Sequence, residues 1–320
     1  MTTTTQRYRR IATGLSVMAV VTALTACSAP VDSRSASAAT DDQSTLPQDQ
    51  EPIIPAKVDA IAAEVPATVR ERGTLINAIG AAPNGAPPLA FVGADNKTLV
   101  GLDPDIAALV AGVLGLKLEI VNTSYENLFL GLASGKYDSS IGNITITPAR
   151  LESYDMGSYR KDLASFEVKK DSGLRITTPE EASGKVIATK AATTQDKLLQ
   201  QWNVDLAAKG LAPIDIKYFA TSAASLLALQ SGAVDAYLTV GATAAHESAL
   251  PDSKIEVGGQ PANVNPGIIG TVSMRGNGMA KPMCDAINHV IDNGDYAKVM
   301  SRWNMSDSTI EKCVVNTPTS

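Results

Sequence analysis

The sequence predicts an α/β protein with mainly parallel sheets, and two observations support this class. Short apolar segments typical of strands alternate with capped helical segments along most of the chain, the order found in strand–helix–strand units. The chain has 320 residues, of which 44% are hydrophobic and 4% aromatic, enough for two modest domains with cores of their own. The formal net charge of −6 argues against nucleic acid or an acidic membrane surface as a partner.

A targeting segment is predicted at the N-terminus. Three arginines within residues 7–10 precede an apolar run, residues 11–23, that is short for a membrane-spanning helix. The run ends in LTAC, which matches the bacterial lipobox and implies a signal peptide of residues 1–26 and a lipid on Cys27. An ordinary signal peptide with a chance cysteine is the alternative. Residues 27–56, small, polar and without aromatic side chains, are expected to be a flexible tether.

The first half of the chain is predicted to contain three strands, each followed by a helix. The strands are residues 74–79, 117–121 and 137–142, after a helical segment at 57–72 that is interrupted near Pro66. The helices that follow begin at Asp103, Ser124 and Thr147. Asp103 and Asp105 resemble paired catalytic carboxylates, but helix capping better explains the first and solvent exposure the second.

The second half continues the alternation. Its predicted strands are residues 185–188, 214–219, 234–240 and 267–274, with an extended segment at 165–170. Its predicted helical segments are residues 179–181, one that starts at 193, one from 221 to 232, and the closing helices 281–293 and 295–304. Ligands of open α/β sheets bind beyond the carboxyl ends of the strands, so the loop after the first strand, residues 82–90, is a candidate wall of a site.

The stretch of residues 135–150, GKYDSSIGNITITPAR, contains the most informative candidate site residue. Arg150 falls at the third position of a helix capped by Thr147, where a cation at the positive end of the helix dipole is unfavourable. An anion bound by the free N–H groups and the guanidinium together would explain this placement. An exposed arginine that pairs locally with Glu152 or Asp155 is the alternative, and the local pattern leaves both open.

Three segments together resemble one known family. They are GLDPDIAALVAGVLGLKLEIV (residues 101–121), SYENLFLGLASGKYD (124–138) and NITITPARLESYDMGSY (143–159). Their pattern resembles the family 3 extracellular solute-binding proteins, the polar amino-acid receptors of ABC importers, over about residues 73–303. The resemblance implies a two-lobed periplasmic-binding-protein type II fold with a two-strand hinge. Its parts would be residues 57–164 and 267–320 in the first lobe, the latter with the C-terminal tail, and 165–266 in the second.

The same resemblance assigns ligand-binding roles to residues of the cleft. It implies that Arg150 holds a ligand carboxylate, helped by Thr145 with its backbone N–H and hydroxyl and by Asn143 with its carbonyl. Thr194 and Gln195 would close on the ligand from the second lobe. Tyr125 would stack on the ligand stem; packing on the domain core is the alternative. None of these side chains ordinarily titrates near neutral pH, which favours binding over catalysis.

The chain departs from the family pattern where amino groups are recognised. Receptors for α-amino acids usually place acidic residues at two positions, which here fall at Pro83–Asn84 and at Val240. The ligand's amino group is therefore expected to matter less than in typical relatives, unless Glu247 or Asp95 reaches the cleft. Ala192 also stands where the family usually has Gly.

The resemblance and the lipobox together imply a lipid-anchored receptor outside the cytoplasm that binds a small, amino-acid-like carboxylate and delivers it to an ABC permease. A monomer without cofactor, catalytic residue or metal is expected, since His246 and His289 lack metal-ligand spacing. A dehydratase-like enzyme of the prephenate or arogenate class and a structural lipoprotein are the rivals. Cys284 and Cys313 are expected to form a disulfide, because the compartment is oxidising and only they remain after lipidation; two unpaired thiols are the alternative.

Overall fold

The computed structural model describes residues 51–82, 85–262 and 264–318. The predicted signal peptide, Cys27, most of the predicted tether, and Pro83 and Asn84 lie outside this part. Within the described residues, no helix has both the length and the apolar character needed to span a membrane.

Helices and strands alternate along most of the described chain. The helices are α1 (Asp59–Ala62), α2 (Ala67–Arg72), α3 (Leu102–Leu114), α4 (Tyr125–Ala133), α5 (Pro148–Leu151), α6 (Pro179–Ala182), α7 (Thr194–Ala208), α8 (Ser222–Ser231), α9 (Gly241–Ala249), α10 (Ala280–Asp292) and α11 (Asp295–Arg302), with a 3-10 turn at Ser306–Ser308. The strands are β1 (Thr74–Ile79), β2 (Gly85–Ala86), β3 (Ala90–Val92), β4 (Leu99–Val100), β5 (Lys117–Asn122), β6 (Ser140–Thr145), β7 (Tyr154–Asp162), β8 (Ala164–Lys169), β9 (Val186–Thr189), β10 (Asp215–Tyr218), β11 (Ala236–Val240), β12 (Ile255–Gly259) and β13 (Gly267–Met274).

The first lobe is built around helix α3. Strand β1 pairs with β5 in parallel, and a bridge from Asn77 to Ser139 connects this pair to the antiparallel group β6–β13–β7. All residues of α3 are buried, although the sequence predicted a single apolar face, because helices α1, α10 and α11 pack against it as well as the strands. The resulting core includes Leu109, Ile287 and Trp303.

The second lobe is one five-stranded sheet with helices packed against it. Its strand order is β10–β9–β11–β8–β12; β9 is parallel to both of its neighbours, and β8 is antiparallel to both of its own. On one face, Phe166 of β8 stacks on Trp202 of α7 with ring centroids 5.6 Å apart. On the other face, Tyr237 and Leu229 belong to a second apolar cluster.

The chain passes from one lobe to the other twice. Strand β7 ends at Asp162 in the first sheet and β8 begins at Ala164 in the second; β12 ends at Gly259 and β13 returns to the first sheet at Gly267. The two-lobed α/β fold expected from the sequence is thus confirmed. The sheets are mixed, because the strand that follows each crossing, β8 or β13, runs antiparallel to its neighbours.

The expectations for Asp103 and Asp105 were wrong. Gly101 is the N-cap of α3 and no side chain caps this helix, so Asp103 is not a cap; it is buried and accepts a hydrogen bond from the Tyr159 hydroxyl at 2.8 Å. Asp105 is not solvent-exposed but buried, with Arg302 Nη1 and the Trp303 indole each donating to Oδ2 at 2.8 Å. Both carboxylates therefore tie α3 to other elements of the first lobe.

The sequence analysis missed six strands and helices: β2, β3, β4, β7, β12 and α9. Strand β7 contains Arg160 and Asp162, which are charged yet buried, so its pattern was not that of an apolar strand.

At the N-terminal end of the described chain, Pro55 lies against Gly112 and Ile53 packs on the first core, although both fall within the predicted tether.

A disulfide joins Cys284 of α10 to Cys313 in the C-terminal tail, with the two Cα atoms 5.5 Å apart. Beyond it the tail follows strand β7: the Val314 N–H donates to Ser158 Oγ at 2.9 Å, and Val315 forms a bridge with Gly157. The disulfide therefore anchors the tail to the first lobe.

Candidate functional site

A cavity of about 160 Å³ lies where strand ends and helix starts of both lobes meet. This is the place expected for a ligand in an α/β sheet, because the carboxyl ends of parallel strands leave a crevice beyond them. The six residues predicted to bind ligand all line it: Tyr125, Asn143, Thr145, Arg150, Thr194 and Gln195. The fold therefore brings together side chains separated by as many as 70 positions in sequence.

Arg150 is held in the cavity wall by neutral partners. Its Nη1 donates to the Thr145 carbonyl at 2.8 Å, and its Nη2 donates to the Tyr125 hydroxyl. The guanidinium carbon also lies 5.8 Å from the ring centroid of Phe129. Within the described part of the chain no ion pair with Arg150 occurs, so local pairing with Glu152 or Asp155 is not seen.

The helix that contains Arg150 is a single turn. Helix α5 has four residues, and its cap Thr147 accepts from the Arg150 N–H at 3.3 Å. A single turn has only a small dipole. The capacity of this wall to hold an anion therefore rests on the Arg150 guanidinium itself.

Tyr125 supports Arg150 as well as lining the cavity. Its ring packs edge-to-face on Phe129 with centroids 5.3 Å apart, and Phe129 in turn lies 5.6 Å from Tyr154. Burial raises the pKa of Tyr125, while the charge of Arg150 opposes this rise. Tyr125 thus combines the two roles left open from sequence: it packs on neighbouring aromatic rings and faces the cavity.

The side chain of Asn143 is hydrogen-bonded within the cavity wall. It adopts a positive φ of 58°, its N–H donates to the Tyr159 hydroxyl at 3.0 Å, and its amide oxygen accepts from Arg160. Its side-chain oxygen is therefore engaged by the protein, as expected if a ligand meets the backbone carbonyl instead. Thr145 lies on the same strand, with its carbonyl accepting from Arg150.

The second lobe contributes the start of α7. Thr193 caps this helix by accepting from the Asp196 N–H at 3.2 Å, and the Asp196 carboxylate accepts from the Ala192 N–H at 2.9 Å. Thr194 and Gln195, the first two helical residues, line the cavity. Ala192 has a φ of 61°, a left-handed conformation that favours glycine, which agrees with the Gly usual at this family position.

Several residues of the cavity wall were missed from sequence. They are Lys190, Asp103, Asp162 and the start of α8, Thr221, Ser222 and Ala223. Lys190 could have been found, because it lies directly between a predicted strand and a predicted helix start, where ligands bind. Asp162 gave no such signal, since β7 was not predicted.

The two acids of the wall share a buried arginine. Arg160 Nη1 lies 3.2 Å from Asp162 Oδ1, and its charge also acts on Asp103. Burial raises the pKa of Asp103 to about 6, against the opposing effects of Arg160 and of the Tyr159 hydrogen bond. Burial also raises the pKa of Asp162.

Val240, which stands where the family usually has an acidic residue, faces the cavity. Val240 lines it, as do Ala81 and Ala82 after the first strand, so these parts of the wall carry no carboxylate. The acids considered as substitutes do not line it: Glu247 borders a separate hollow, and Asp95 accepts from Lys97 and Thr98 within its own turn. Among the residues that the structure describes, no group of three His, Cys, Asp or Glu side chains could hold a metal ion.

Known proteins resemble this chain in sequence and in structure. The arginine-binding protein ArgT of Corynebacterium glutamicum is 26% identical over 284 residues, which are 88% of this chain and 90% of that protein. The L-cystine-binding protein TcyJ of Escherichia coli (strain K12) is 24% identical over 243 residues, 75% of this chain and 86% of that protein. The solved structure of an ancestral arginine-binding protein bound to arginine has a TM-score of 0.64 and 27% identity, and the match covers 72% of this chain and 98% of that one.

These relatives are binding proteins rather than enzymes, which supports a solute-binding role here and not the dehydratase-like alternative. The sequence pattern of the bacterial extracellular solute-binding proteins, family 3, matches residues 79–306, which include both crossings between the lobes and every residue predicted to bind ligand. The chain therefore belongs to the bacterial extracellular solute-binding proteins, family 3.

Proposed function

We propose that this protein is the lipid-anchored receptor of an ABC importer for small, carboxylate-bearing solutes of the amino-acid type. The observation that carries the proposal is Arg150: it lines the cavity, its guanidinium is oriented by Thr145 and Tyr125, and no carboxylate of the described chain neutralises it. A guanidinium oriented in this way suits bidentate binding of a carboxylate. The relatives named for arginine and cystine make amino acids the first solutes to test.

The test is the affinity for a carboxylate ligand before and after removal of the guanidinium. Ligands are first found by a thermal-shift screen of amino acids and organic acids, because binding at a hundredfold excess over Kd stabilises by about 2.7 kcal/mol. Replacement of Arg150 by Ala should then weaken binding by about 2–5 kcal/mol, as when a buried charge pair loses one partner. Replacement by Lys should also weaken binding, because the charge remains but the planar fork is lost.

Arg175→Ala is the matched control for this test. Arg175 is exposed in the second lobe, where its Nη1 donates to the Val257 carbonyl at 2.9 Å, and it does not line the cavity. Its replacement should leave the affinity unchanged. Equal binding by wild type and Arg150→Ala would contradict the proposal.

We further propose that the solute is captured by closure of the two lobes about a hinge at the crossings near residues 164 and 266. Ligand contacts to Arg150 in one lobe and to Thr194 in the other would favour the closed form. Small-angle scattering should show a smaller radius of gyration with ligand than without. An unchanged radius on saturation would argue against closure.

The amino group of the ligand is proposed to contribute less than in typical receptors of α-amino acids. Val240 lines the cavity at one of the two positions where such receptors place acids, while Asp162 is already paired with Arg160. Calorimetry with one amino acid and its desamino analogue tests this. Complete loss of affinity without the amine would contradict it, and would point to Asp103 or Asp162 as its acceptor.

Membrane anchoring through Cys27 is part of the proposal. It is supported by the lipobox match and by the family, whose members work outside the cytoplasm. We propose that the protein works as a monomer, with residues 27–50 as the tether to the membrane and an ABC permease as its partner. Cys27→Ser should release the protein into the medium, as assayed by fractionation of cells. Retention of this variant in the membrane fraction would contradict membrane anchoring through Cys27.

A further inference from the structure

Two basic side chains line the cavity, and only one of them has a role so far. Arg150 is the proposed carboxylate-binding group, and Lys190 lies at the end of β9 in the second lobe. The ammonium of Lys190 lies 5.9 Å from the ring centroid of Tyr125, the same residue whose hydroxyl accepts from Arg150. The two cations therefore approach one aromatic residue from opposite lobes.

No carboxylate neutralises either cation within the described chain. The acids of the same cavity wall, Asp103 and Asp162, are placed elsewhere: Asp162 pairs with Arg160, and Asp103 accepts from Tyr159. No ion pair with Lys190 is found in residues 51–82, 85–262 or 264–318. The cavity thus has an excess of positive charge on the side where Arg150 and Lys190 meet.

The position of Lys190 is set by the local fold. Its carbonyl accepts from the Thr193 hydroxyl at 2.7 Å, which fixes the turn between β9 and α7. Lys190 is partly buried, and this burial lowers its pKa. A cation that loses water without gaining an acid is destabilised, so an anion supplied by the ligand would offset the cost.

Apart from Asp103 and Asp162, the described cavity wall contains no side chain whose charge would favour a cationic ligand. Thr194, Gln195 and Ser222 are neutral and can donate hydrogen bonds, and Val240 is apolar. A purely structural role for Lys190, as a cation resting on the Tyr125 ring, would account for the contact but would make ligand charge irrelevant. The two roles therefore predict different ligand selectivity.

We propose that Lys190 binds a second anionic group of the ligand, so that the preferred solutes are small dianions: acidic amino acids or dicarboxylates. This inference rests on the proposed function, because Arg150 must hold the first carboxylate. It assigns Lys190 as the residue that determines specificity, and it predicts a ligand charge different from that of the relatives named for arginine.

The experiment compares matched ligands on matched variants by calorimetry. Glutarate is compared with its monoamide, and L-glutamate with L-glutamine, since each pair differs in one charge at nearly constant shape. The proteins are wild type, Lys190→Met, Lys190→Arg and the control Lys197→Met, whose lysine is exposed on α7 outside the cavity. Loss of one charged hydrogen bond should cost about tenfold to a hundredfold in affinity.

The expected result is that wild type and Lys197→Met prefer the dianion of at least one pair by about tenfold or more. Lys190→Met should lose this preference while it still binds the monoamide or glutamine, and Lys190→Arg should largely restore it. Two results would overturn the inference: a wild type that binds arginine more tightly than every dianion, or a preference unchanged in Lys190→Met.

These outcomes are distinct from failure of the proposed function. If Lys190→Met changes nothing but Arg150→Ala abolishes binding of a monoanion, the receptor function stands and the role of Lys190 is refuted. If Arg150→Ala binds every ligand as wild type does, the proposed function fails and this inference fails with it.

Discussion

Glu167 provides a sharp test of the electrostatics of the second lobe. It lies in the middle of β8, opposite Tyr237 of β11 and Val257 of β12, and its side chain is fully buried. Within the described chain, neither carboxylate oxygen has a hydrogen-bond partner. Burial, together with the charge of Glu247 on α9, raises the pKa of Glu167 to about 8. The folded protein therefore keeps this carboxyl group protonated at neutral pH.

The consequence is a stability that falls as the pH rises. In the unfolded chain the group titrates with the ordinary glutamate pKa of 4.5, so between pH 4.5 and about 8 the folded protein holds a proton that the unfolded chain has released. Each pH unit in this window costs about 1.4 kcal/mol. The contribution of Glu167 is fully present below pH 4.5, is reduced by about 3 kcal/mol at pH 7, and is reduced by about 5 kcal/mol above pH 8.

Glu167→Gln removes the titration while it keeps the shape and the polarity of the side chain. The variant should match wild type at about pH 4 and exceed its unfolding free energy by about 3 kcal/mol at pH 7 and about 5 kcal/mol at pH 9. Urea unfolding followed by tryptophan fluorescence measures this, because Trp202 stacks on Phe166, the neighbour of Glu167 in sequence.

Glu256→Gln is the control, since Glu256 is partly exposed on the adjacent strand β12 and its replacement should leave the pH dependence of stability as in wild type. An unfolding free-energy difference between Glu167→Gln and wild type that is the same at pH 5 and pH 9 would refute the reasoning. So would a variant that is less stable than wild type at pH 9.

Two further predictions concern the covalent and backbone structure. Replacement of Cys284 and Cys313 by Ala should lower the unfolding free energy by about 3–4 kcal/mol, because the disulfide closes a loop with a sequence separation of 29 residues. Two free thiols in the denatured wild-type protein would show that the disulfide is absent. Ala192→Gly should raise the unfolding free energy by about 1 kcal/mol, because the backbone of Ala192 is in the left-handed region. The control Ala191→Gly should lower the unfolding free energy slightly. A lower melting temperature for Ala192→Gly than for wild type would contradict this prediction.

Much of the fold followed from local signals in the sequence. Thr147 and Thr221 each cap a helix through the side-chain hydroxyl, as predicted, and strand β1 has the predicted bounds. The helix predicted to start at residue 193 does so, with Thr193 as its cap. Caps and apolar runs act within a few residues, so a sequence pattern can determine them. The six predicted cavity residues came instead from the resemblance to the family, and the fold brings all six to one cavity wall.

Tertiary structure decided the features that depend on distant partners. Strand β7 was missed because the sequence does not show that Arg160 and Asp162 are buried; they pair with each other along the strand, and Arg160 also donates to Asn143 of β6. Asp105 was expected in solvent because its partners, Arg302 and Trp303, lie nearly 200 positions away.

The charge balance of the cavity also depended on tertiary structure, since it requires knowing which acids are already paired. The sequence by itself determined the family, the order of most helices and strands, and the placement of Arg150 beside a strand end. Only the folded chain showed that Lys190 from the other lobe faces the same cavity as Arg150. Local sequence carries backbone preferences, whereas electrostatic pairing is set by distances that exist only after folding.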